Sequence, residues 1–362
     1  EETNYPDPQT ADPQYNLRFA LTPLQRSVSA RIRECVMKGH SVSVKAVCGA
    51  GKTELVYETI RALLSQKKRV GFAISRRQVV IQVAKRMKQD FPRLKVIPVC
   101  EGYTSDTEGD LIVSTAHQLY RYPGYFDALI LDEPDAFPFR GNEVLRGIAE
   151  CSCRGPMIFL SATPDEWINE KVRSGKAVEI SLPCRPSGRP LVLPICHYLP
   201  VWISRLDLIR LIIRQEKAGR QTMVFCPTIR MTNNLCAFFS RFVKAGKLTS
   251  RTENKDETAD RFLKRKIRFL FCTTVMERGV TFPGIDVIVF RADHAVFTNS
   301  SLIQIMGRIG RDVRDPEGKG FFIAAKRTEG IQECIQIIKK ANEDACIAEK
   351  SWKKTTTCCP GS

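Results

Sequence analysis

Short apolar runs, many of them β-branched, alternate with segments of helical periodicity along the first half of the chain. The apolar runs predict strands, and the periodic segments between them predict helices. Strands that alternate with helices form right-handed βαβ units around a mostly parallel sheet. The predicted strands are 41–47, 69–74, 111–113, 128–131 and 157–160, and the predicted helices are 53–66 and 79–90.

The same alternation returns in the second half. Between the halves, residues 182–194 contain four prolines and a glycine, so this segment cannot continue a helix or a central strand. The pattern therefore predicts an α/β fold of two tandem domains, each a mostly parallel sheet flanked by helices. In the second half the predicted strands are 222–225, 267–272, 286–290 and 320–325, and the predicted helices are 206–215, 231–244, 302–309 and 329–348.

A chain of 362 residues is long for one domain and suits two domains of about 150–180 residues each. We expect a loose polar leader over 1–17, a first domain over 18–185, a second over 186–346 and a tail over 347–362. No apolar run approaches the roughly 18–20 residues of a membrane span. The first residue is Glu1, so we expect that an upstream part has been removed.

Charge and cysteine usage narrow the function classes. The net charge is +17, and residues 186–362 carry most of it, with 30 basic against 17 acidic side chains. Such an excess favours a polyanion partner or an acidic membrane surface. Most of the fourteen cysteines lie in apolar runs, as Cys226 and Cys272 do, which is typical of buried thiols in a reducing compartment. These buried thiols favour a cytoplasmic location. No CxxC pair occurs, so the sequence predicts no zinc site.

A glycine-bearing turn joins the strand at 41–47 to the helix that follows it. The backbone N–H groups of Cys48, Gly49, Ala50 and Gly51 can surround a phosphate at the positive end of the helix. Lys52 would reach the β- and γ-phosphates, and the Thr53 hydroxyl would bind Mg²⁺. Ala46 stands where the usual pattern has its first glycine. The motif predicts ATP and Mg²⁺ as ligands.

Carboxylates follow the apolar strand at 128–131. Asp132 would hold Mg²⁺, and Glu133 is placed to orient and deprotonate a water. Asp135 would accept hydrogen bonds from Ser161 and Thr163, which follow the next strand and would relay the nucleotide state to the second domain.

Three polar residues in the second half and one near the start complete the expected nucleotide site. Arg308 and Arg311 lie three positions apart, which would place them on one helical face. We expect them to act as arginine fingers on the γ-phosphate across an interdomain cleft, with Gln304 positioning water. Gln25 lies ahead of the phosphate loop, where its amide would pair with adenine.

The motifs together resemble the ordered motifs of superfamily-2 helicases over most of the chain, from Leu21 to Arg311. They read LTPLQ, AVCGAGKT, LDEPD, SATP, TTVMERGVTF and QIMGRIGR. Within that superfamily, DEPDAFPF and ERGVTFPG are similar to the late-competence ATPase family ComFA, which is implicated in bringing single-stranded DNA into the cytoplasm during natural transformation. The primosomal helicase PriA is the alternative in motif style, but its usual zinc-binding insertion is not visible here.

The resemblance implies two RecA-like domains and a DNA-stimulated ATPase that translocates on single-stranded DNA. It also implies other competence proteins and the membrane DNA channel as partners, and a location at the cytosolic face of the membrane. It is compatible with an oligomer. Zinc binding is not carried over, because the family's four-cysteine module would precede this chain. Gly279 would couple the two domains. The expected DNA contacts are Ser75, Arg76, Arg77, Ser114, Thr115, Pro227, Thr228, Thr273 and Thr274.

Two other functions stay open from the sequence. A nucleotide-gated DNA clamp would bind ATP without turnover, although Glu133 and the paired arginines disfavour it. An RNA helicase is the second alternative, because loops that contact a backbone do not exclude RNA.

Overall fold

The computed structural model describes residues 13–274, 282, 284–310 and 317–357, with side chains for all of these except 256 and 348–357. The chain divides into two compact units, Glu1–Leu182 and Pro183–Ser362. Each unit is built on its own parallel sheet.

The first unit contains seven strands, six helices and a 3₁₀ helix at Ala116–Arg121 among its described residues. Its strands are β1 (Ser41–Ala46), β2 (Val70–Ile74), β3 (Val96–Val99), β4 (Leu111–Thr115), β5 (Ala128–Asp132), β6 (Met157–Ser161) and β7 (Ala177–Leu182). Its helices are α1 (Pro23–Met37), α2 (Lys52–Leu55), α3 (Tyr57–Ser65), α4 (Arg77–Asp90), α5 (Glu143–Ser152) and α6 (Glu166–Arg173).

All neighbouring strands of the first sheet are parallel, in the order β3-β4-β2-β5-β6-β1-β7. Helices α1, α3 and α4 bury apolar side chains such as Ile32, Ile60 and Val80 against one face. Helices α5 and α6 cover the other face, with Leu145 and Ile168 in its core. Because the strands are parallel, the loops after β1, β2, β4, β5 and β6 emerge at one edge of the sheet.

The second unit repeats this plan with a six-stranded parallel sheet, in the order β10-β11-β9-β12-β13-β8. Within the described ranges, no helix is both long and apolar enough to cross a membrane. The strands are β8 (Ile195–Tyr198), β9 (Gln221–Phe225), β10 (Ala245–Leu248), β11 (Phe269–Cys272), β12 (Ile285–Phe290) and β13 (Gly320–Ala324). The helices are α7 (Val201–Lys217), α8 (Ile229–Phe239), α9 (Lys255–Leu263), α10 (Asn299–Met306) and α11 (Glu329–Thr357).

The fold class predicted from the sequence is confirmed, but three segments differ from expectation. The supposed leader is in contact with the core at its end, where the Tyr15 ring packs against Tyr57 and Phe91. The expected tail is helical as far as Thr357. The second unit begins at Pro183 rather than at residue 186, and within its proline-rich start the Leu191 backbone exchanges two hydrogen bonds with the Asn342 side chain of α11.

Candidate active site

The turn between β1 and α2 needs glycine at two positions. Gly49 has φ +82° and Gly51 has φ +77°, in the left-handed region that side chains disfavour. A Cβ at Gly51 would also lie 3.0 Å from Nε2 of Gln25. Helix α2 begins at Lys52, and its first N–H groups have no partner within the helix. The turn therefore has the backbone geometry that binding of a phosphate would require, and phosphate binding there remains a prediction.

Gln25 connects α1 to this turn. Its Nε2 donates to the Ala50 carbonyl at 2.8 Å, and its Oε1 accepts from the Thr22 backbone N–H at 2.9 Å. The Thr22 hydroxyl in turn accepts from the Gln25 N–H, which completes a capping box. Only 4% of Gln25 is exposed, so in this structure its amide holds the phosphate loop. The adenine contact remains a prediction.

Lys52 lies among carboxylates. Its Nζ is 3.8 Å from Oε1 of Glu133, and the nitrogen is buried with no hydrogen-bond acceptor among the described residues. Burial lowers the pKa of Lys52, but the charges of Glu133, Asp132 and Asp135 raise it, and the net shift is upward. The side chain is therefore a buried ammonium with donors to spare, as a phosphate-binding lysine requires.

The acidic segment is fixed by the sheet beside the phosphate loop. Asp132 ends β5, paired with Ile74 of β2 on one side and Leu160 of β6 on the other. The next residue, Glu133, has φ +53°, which is uncommon for a residue with a side chain. Its N–H donates to the Leu160 carbonyl at 2.8 Å, and its carbonyl accepts from Ala136 at 3.2 Å. Two backbone hydrogen bonds thus hold the Glu133 carboxylate on the Lys52 side.

The hydroxyl contact expected between the SATP segment and Asp135 is present. Thr163 Oγ1 donates to Oδ2 of Asp135 at 2.9 Å, and the Thr163 N–H donates to Oγ of Ser161 at 2.9 Å. Asp135 and Ser161 are buried. A side-chain hydrogen bond therefore joins the loops after β5 and β6 near the phosphate loop.

The loop that carries Arg308 follows α10 in the second unit. Gln304 and Arg308 are buried, at 4% and 2% exposure. Helix α10 ends at Met306, so Arg308 does not lie on the helix as the sequence predicts. The glycines explain this, because Gly307 caps the helix and Gly310 turns away from it with φ +68°. Arg311 and Gly279 lie outside the described residues.

The loops expected to contact DNA in the first unit differ in accessibility. Arg77 is exposed at the start of α4, where its Nε donates to the Glu101 carbonyl at 2.6 Å. Arg76 and Ser75 are partly buried, and Ser75 Oγ is 3.5 Å from the Glu133 carbonyl oxygen. Thr115 is partly exposed, whereas Ser114 is fully buried in β4. Ser114 therefore has no surface to offer a strand in this structure.

In the second unit the corresponding loops follow β9 and β11. Thr228 is exposed and caps α8, accepting from the Met231 N–H at 3.2 Å, while Pro227 is buried. Thr273 is 6% exposed, and its Oγ1 has no partner among the described residues. Thr274 is partly buried.

The residues of the first unit fit ATP and Mg²⁺. No three His, Cys, Asp or Glu side chains of the described chain form a metal-binding group by themselves. Mg²⁺ characteristically takes one or two protein ligands together with substrate phosphates and water. Thr53 and Asp132 would supply those protein ligands, and the unpaired donors of Lys52 would meet the phosphates.

Arg185 contacts the loop that carries Arg308, but it was not predicted from the sequence as a site residue. Arg185 lies in the proline-rich boundary segment, which has the composition of a linker. In the structure it is buried and donates to the Arg308 loop. The contact joins residues more than 120 positions apart, so local sequence carries no sign of it.

Two family models match the chain. A helicase conserved C-terminal domain matches residues 204–313, and a domain described as the Type III restriction enzyme, res subunit, matches residues 18–166. The fold is similar to that of S. cerevisiae Dbp5 bound to RNA and ADP BeF3, with a TM-score of 0.65 at 15% identity over 90% of this chain and 92% of that one. This likeness shows the tandem RecA-like fold.

Two curated relatives match nearly the whole chain. It is 34% identical to the competence protein ComFA of Streptococcus pneumoniae, over 95% of this chain and 83% of the relative. It is 30% identical to ComFA of Bacillus subtilis, over 91% of this chain and 73% of the relative. Similarity to the ATP-dependent DNA helicase RecG of S. pneumoniae is weaker, at 23% identity over 93% of this chain and 53% of RecG. The chain therefore belongs to the ComFA family of competence proteins and is an ATP-dependent helicase or translocase of superfamily 2.

Proposed function

We propose that this protein is a single-stranded-DNA-stimulated ATPase that translocates on DNA and drives the internalisation of transforming DNA. The observation that carries the proposal is the arrangement at one edge of the first sheet. The phosphate loop, the Glu133 carboxylate and the Asp135–Thr163 pair follow neighbouring strands there. The basic loop of Arg76 and Arg77 follows β2, which adjoins the Glu133 strand.

Each of four residues of the first unit has a proposed role in ATP hydrolysis. Lys52 would contact the β- and γ-phosphates, and Thr53 and Asp132 would hold Mg²⁺, which neutralises phosphate charge when bound. The Glu133 carboxylate now faces Lys52 at 3.8 Å. Once the ammonium turns to a phosphate, Glu133 is free to accept a proton from the attacking water. The new bond joins that water oxygen to the γ-phosphorus, and the bond to ADP breaks.

We assign Arg308 and Arg311 the role of arginine fingers that stabilise charge on the transferring phosphoryl group. Gln304 would position water, and Gln25 would contact adenine while it holds Ala50. Thr163 and Ser161, through Asp135, would report the nucleotide state to the second domain, with Gly279 as a further coupling position. The hydrogen bond between Thr163 and Asp135 supports this relay.

The DNA strand would be held through its phosphates. The chain carries a net charge of +17, and the exposed Arg77 and Thr228 and the partly exposed Thr115 lie at or just after the ends of sheet strands. Contacts of this kind are independent of base sequence. Arg76, Ser75, Thr274 and Thr273 extend the proposed contact set, with Pro227 and the buried Ser114 as supports for their loops.

The proposed role in DNA uptake is supported by the two ComFA relatives, which are named as competence proteins. We infer partners among other competence proteins and a membrane DNA channel, and work at the cytosolic face of the membrane. An RNA helicase is the rival that the fold neighbour suggests, since that Dbp5 structure contains RNA. Its 15% identity shows the fold alone, whereas the ComFA relatives are twice as similar in sequence.

Displacement of streptavidin from single-stranded DNA biotinylated at either end tests translocation. A translocase removes streptavidin from one end when ATP is present and does not do so with a non-hydrolysable analogue. A nucleotide-gated clamp binds the same oligomers with ATP but displaces streptavidin from neither end. That second outcome would contradict the translocation that we propose.

A further inference from the structure

The guanidinium of Arg185 is buried against the loop that carries Arg308. Only 5% of Arg185 is exposed. Its Nη1 donates to the Ile309 carbonyl at 2.6 Å, and its Nη2 donates to the Gly307 carbonyl at 2.9 Å. These two carbonyls belong to the residues on either side of Arg308. One planar side chain therefore fixes the backbone both before and after Arg308.

The loop needs such support because it leaves the helix at that point. The last carbonyls of a helix have no donor within it, and a buried carbonyl without a donor is costly. Here the backbone tightens into i→i+3 hydrogen bonds, from Arg308 N–H to Ile305 and from Ile309 N–H to Met306. Gly310 then turns away with φ +68°. The Arg185 guanidinium donates hydrogen bonds to the Gly307 and Ile309 carbonyls, which lie just beyond the end of the helix.

An arginine is specifically suited to this task. Its planar guanidinium presents donors in a fixed geometry, so it holds two acceptors at a set separation. Lysine carries the same charge on a single rotating ammonium and cannot fix two carbonyls in the same way.

Arg185 is itself anchored within the second unit. Its carbonyl accepts from the Gly188 N–H at 2.9 Å, which closes a turn in the segment. Six residues after Arg185, the Leu191 N–H donates to Oδ1 of Asn342 at 2.7 Å, and Asn342 Nδ2 donates to the Leu191 carbonyl at 2.9 Å. The segment is thus fastened to α11 rather than free to move like a linker.

We propose that Arg185 is a positioning residue that holds Arg308 in the geometry needed for ATP hydrolysis. The inference rests on the proposed finger role of Arg308. Arg185 would not touch the nucleotide, so its loss would leave the binding of ATP intact and impair the chemical step. A displacement of about 1 Å in a catalytic group is enough to lower a rate by about 10²-fold.

The test is steady-state ATP turnover of Arg185→Ala and Arg185→Lys in the full chain with saturating single-stranded DNA. We expect kcat to fall about 10–100-fold in Arg185→Ala, with KM for ATP changed by no more than about twofold. Arg185→Lys keeps the charge and should still show most of the loss in kcat. The control is Arg189→Ala, which removes the same charge from an exposed position in the same segment and should match wild type.

A double-mutant cycle separates positioning from a general loss of stability. If Arg185 acts through Arg308, adding Arg185→Ala to Arg308→Ala lowers kcat little further. Equal losses in both backgrounds overturn the inference, as does an Arg185→Lys protein that melts earlier but keeps its wild-type kcat. The finger role fails separately: wild-type turnover in Arg308→Ala would remove it, whatever Arg185→Ala does.

Discussion

Two opposing effects act on the pKa of Lys52. Burial lowers it, and the charges of three nearby carboxylates raise it by more. The upward net shift means that Lys52 stays protonated throughout the neutral range. Glu133 is its partner at 3.8 Å in this structure. The pair therefore occupies the place where phosphate charge and a reacting water would be handled.

Replacing Lys52 with Ala removes the charge that would meet the β- and γ-phosphates. We expect ATP turnover to be abolished, measured as steady-state phosphate release. DNA binding without nucleotide should survive, because Lys52 is buried in the phosphate loop and the proposed strand contacts lie elsewhere. Wild-type turnover in this variant would mean that the phosphate site is not at Gly49–Thr53.

Glu133→Gln keeps the shape of the side chain and removes the base. Its backbone hydrogen bonds to Leu160 and Ala136 do not depend on the carboxylate, so the local fold should be unchanged. ATP should still bind, while hydrolysis falls at least about 10²-fold, the usual scale for a lost general base. Nucleotide binding by fluorescence and single-turnover hydrolysis distinguish the two effects. A variant that loses binding but keeps its rate would rule out the base role.

The sequence picks out the candidate phosphate-loop residues but not the side chains that hold the loop in place. Gly49, Gly51, Lys52 and Thr53 are recognisable because a strand, a turn and a helix follow in order. The tether from Gln25 to Ala50 depends on two segments meeting in the fold. Only the Thr22–Gln25 spacing, which matches a capping box, gives a local sign of it.

Among the elements, the strands missed from the sequence are all edge strands. They are β3, β7, β8 and β10, which end the two sheets. Central strands of a parallel sheet are buried on both faces and form continuous apolar runs, whereas edge strands do not. The edge strands also contain residues that are unfavourable in a central strand. Pro98 lies within β3 and Gly246 lies within β10.

A hydrogen bond from Thr163 to Asp135 joins the loops after β5 and β6. Thr163→Val removes the hydroxyl that donates to Asp135 at 2.9 Å and leaves a side chain of similar size. If this hydrogen bond carries the nucleotide state, stimulation by DNA should fall by about tenfold or more while ATP still binds. Phosphate release with and without DNA measures the effect.

The matched control is Ser174→Ala, which removes an exposed hydroxyl from the end of α6 in the same unit. It should behave as wild type. Equal stimulation in Thr163→Val and wild type would separate the Asp135 contact from coupling and reduce it to a loop support.

At the scale of the whole molecule, charge is unevenly distributed along the chain. Residues 1–185 carry 26 basic and 22 acidic side chains, against 30 and 17 in residues 186–362. The proline-rich boundary is visible in the sequence, but the hydrogen bonds that fasten it to α11 are not. Asn342, which holds Leu191, lies 151 positions away, so only the folded chain brings the two together.

A strand gripped through phosphates should dissociate readily in salt. Each phosphate neutralised on a single strand releases about 0.7 of a counterion. Arg76→Ala combined with Arg77→Ala should weaken binding to all DNA sequences alike and make the salt dependence shallower, while ATP turnover without DNA persists. Fluorescence anisotropy across a salt series measures this.

Lys85→Ala combined with Lys88→Ala is the control, because it removes the same charge from exposed positions further along α4. This pair should keep nearly the wild-type salt slope. An unchanged slope in the Arg76 and Arg77 variant would move the strand-binding surface away from this loop, with the basic second unit as the next candidate.

We propose that single-stranded DNA drives ATP hydrolysis by this chain. The most direct test is steady-state phosphate release with matched oligomers supplied as single-stranded DNA, blunt duplex and RNA. We predict strong stimulation by single-stranded DNA of almost any sequence, and weaker stimulation by duplex and by RNA. Stimulation by blunt duplex or by RNA equal to that by single-stranded DNA would show that the ATPase is not driven specifically by single-stranded DNA.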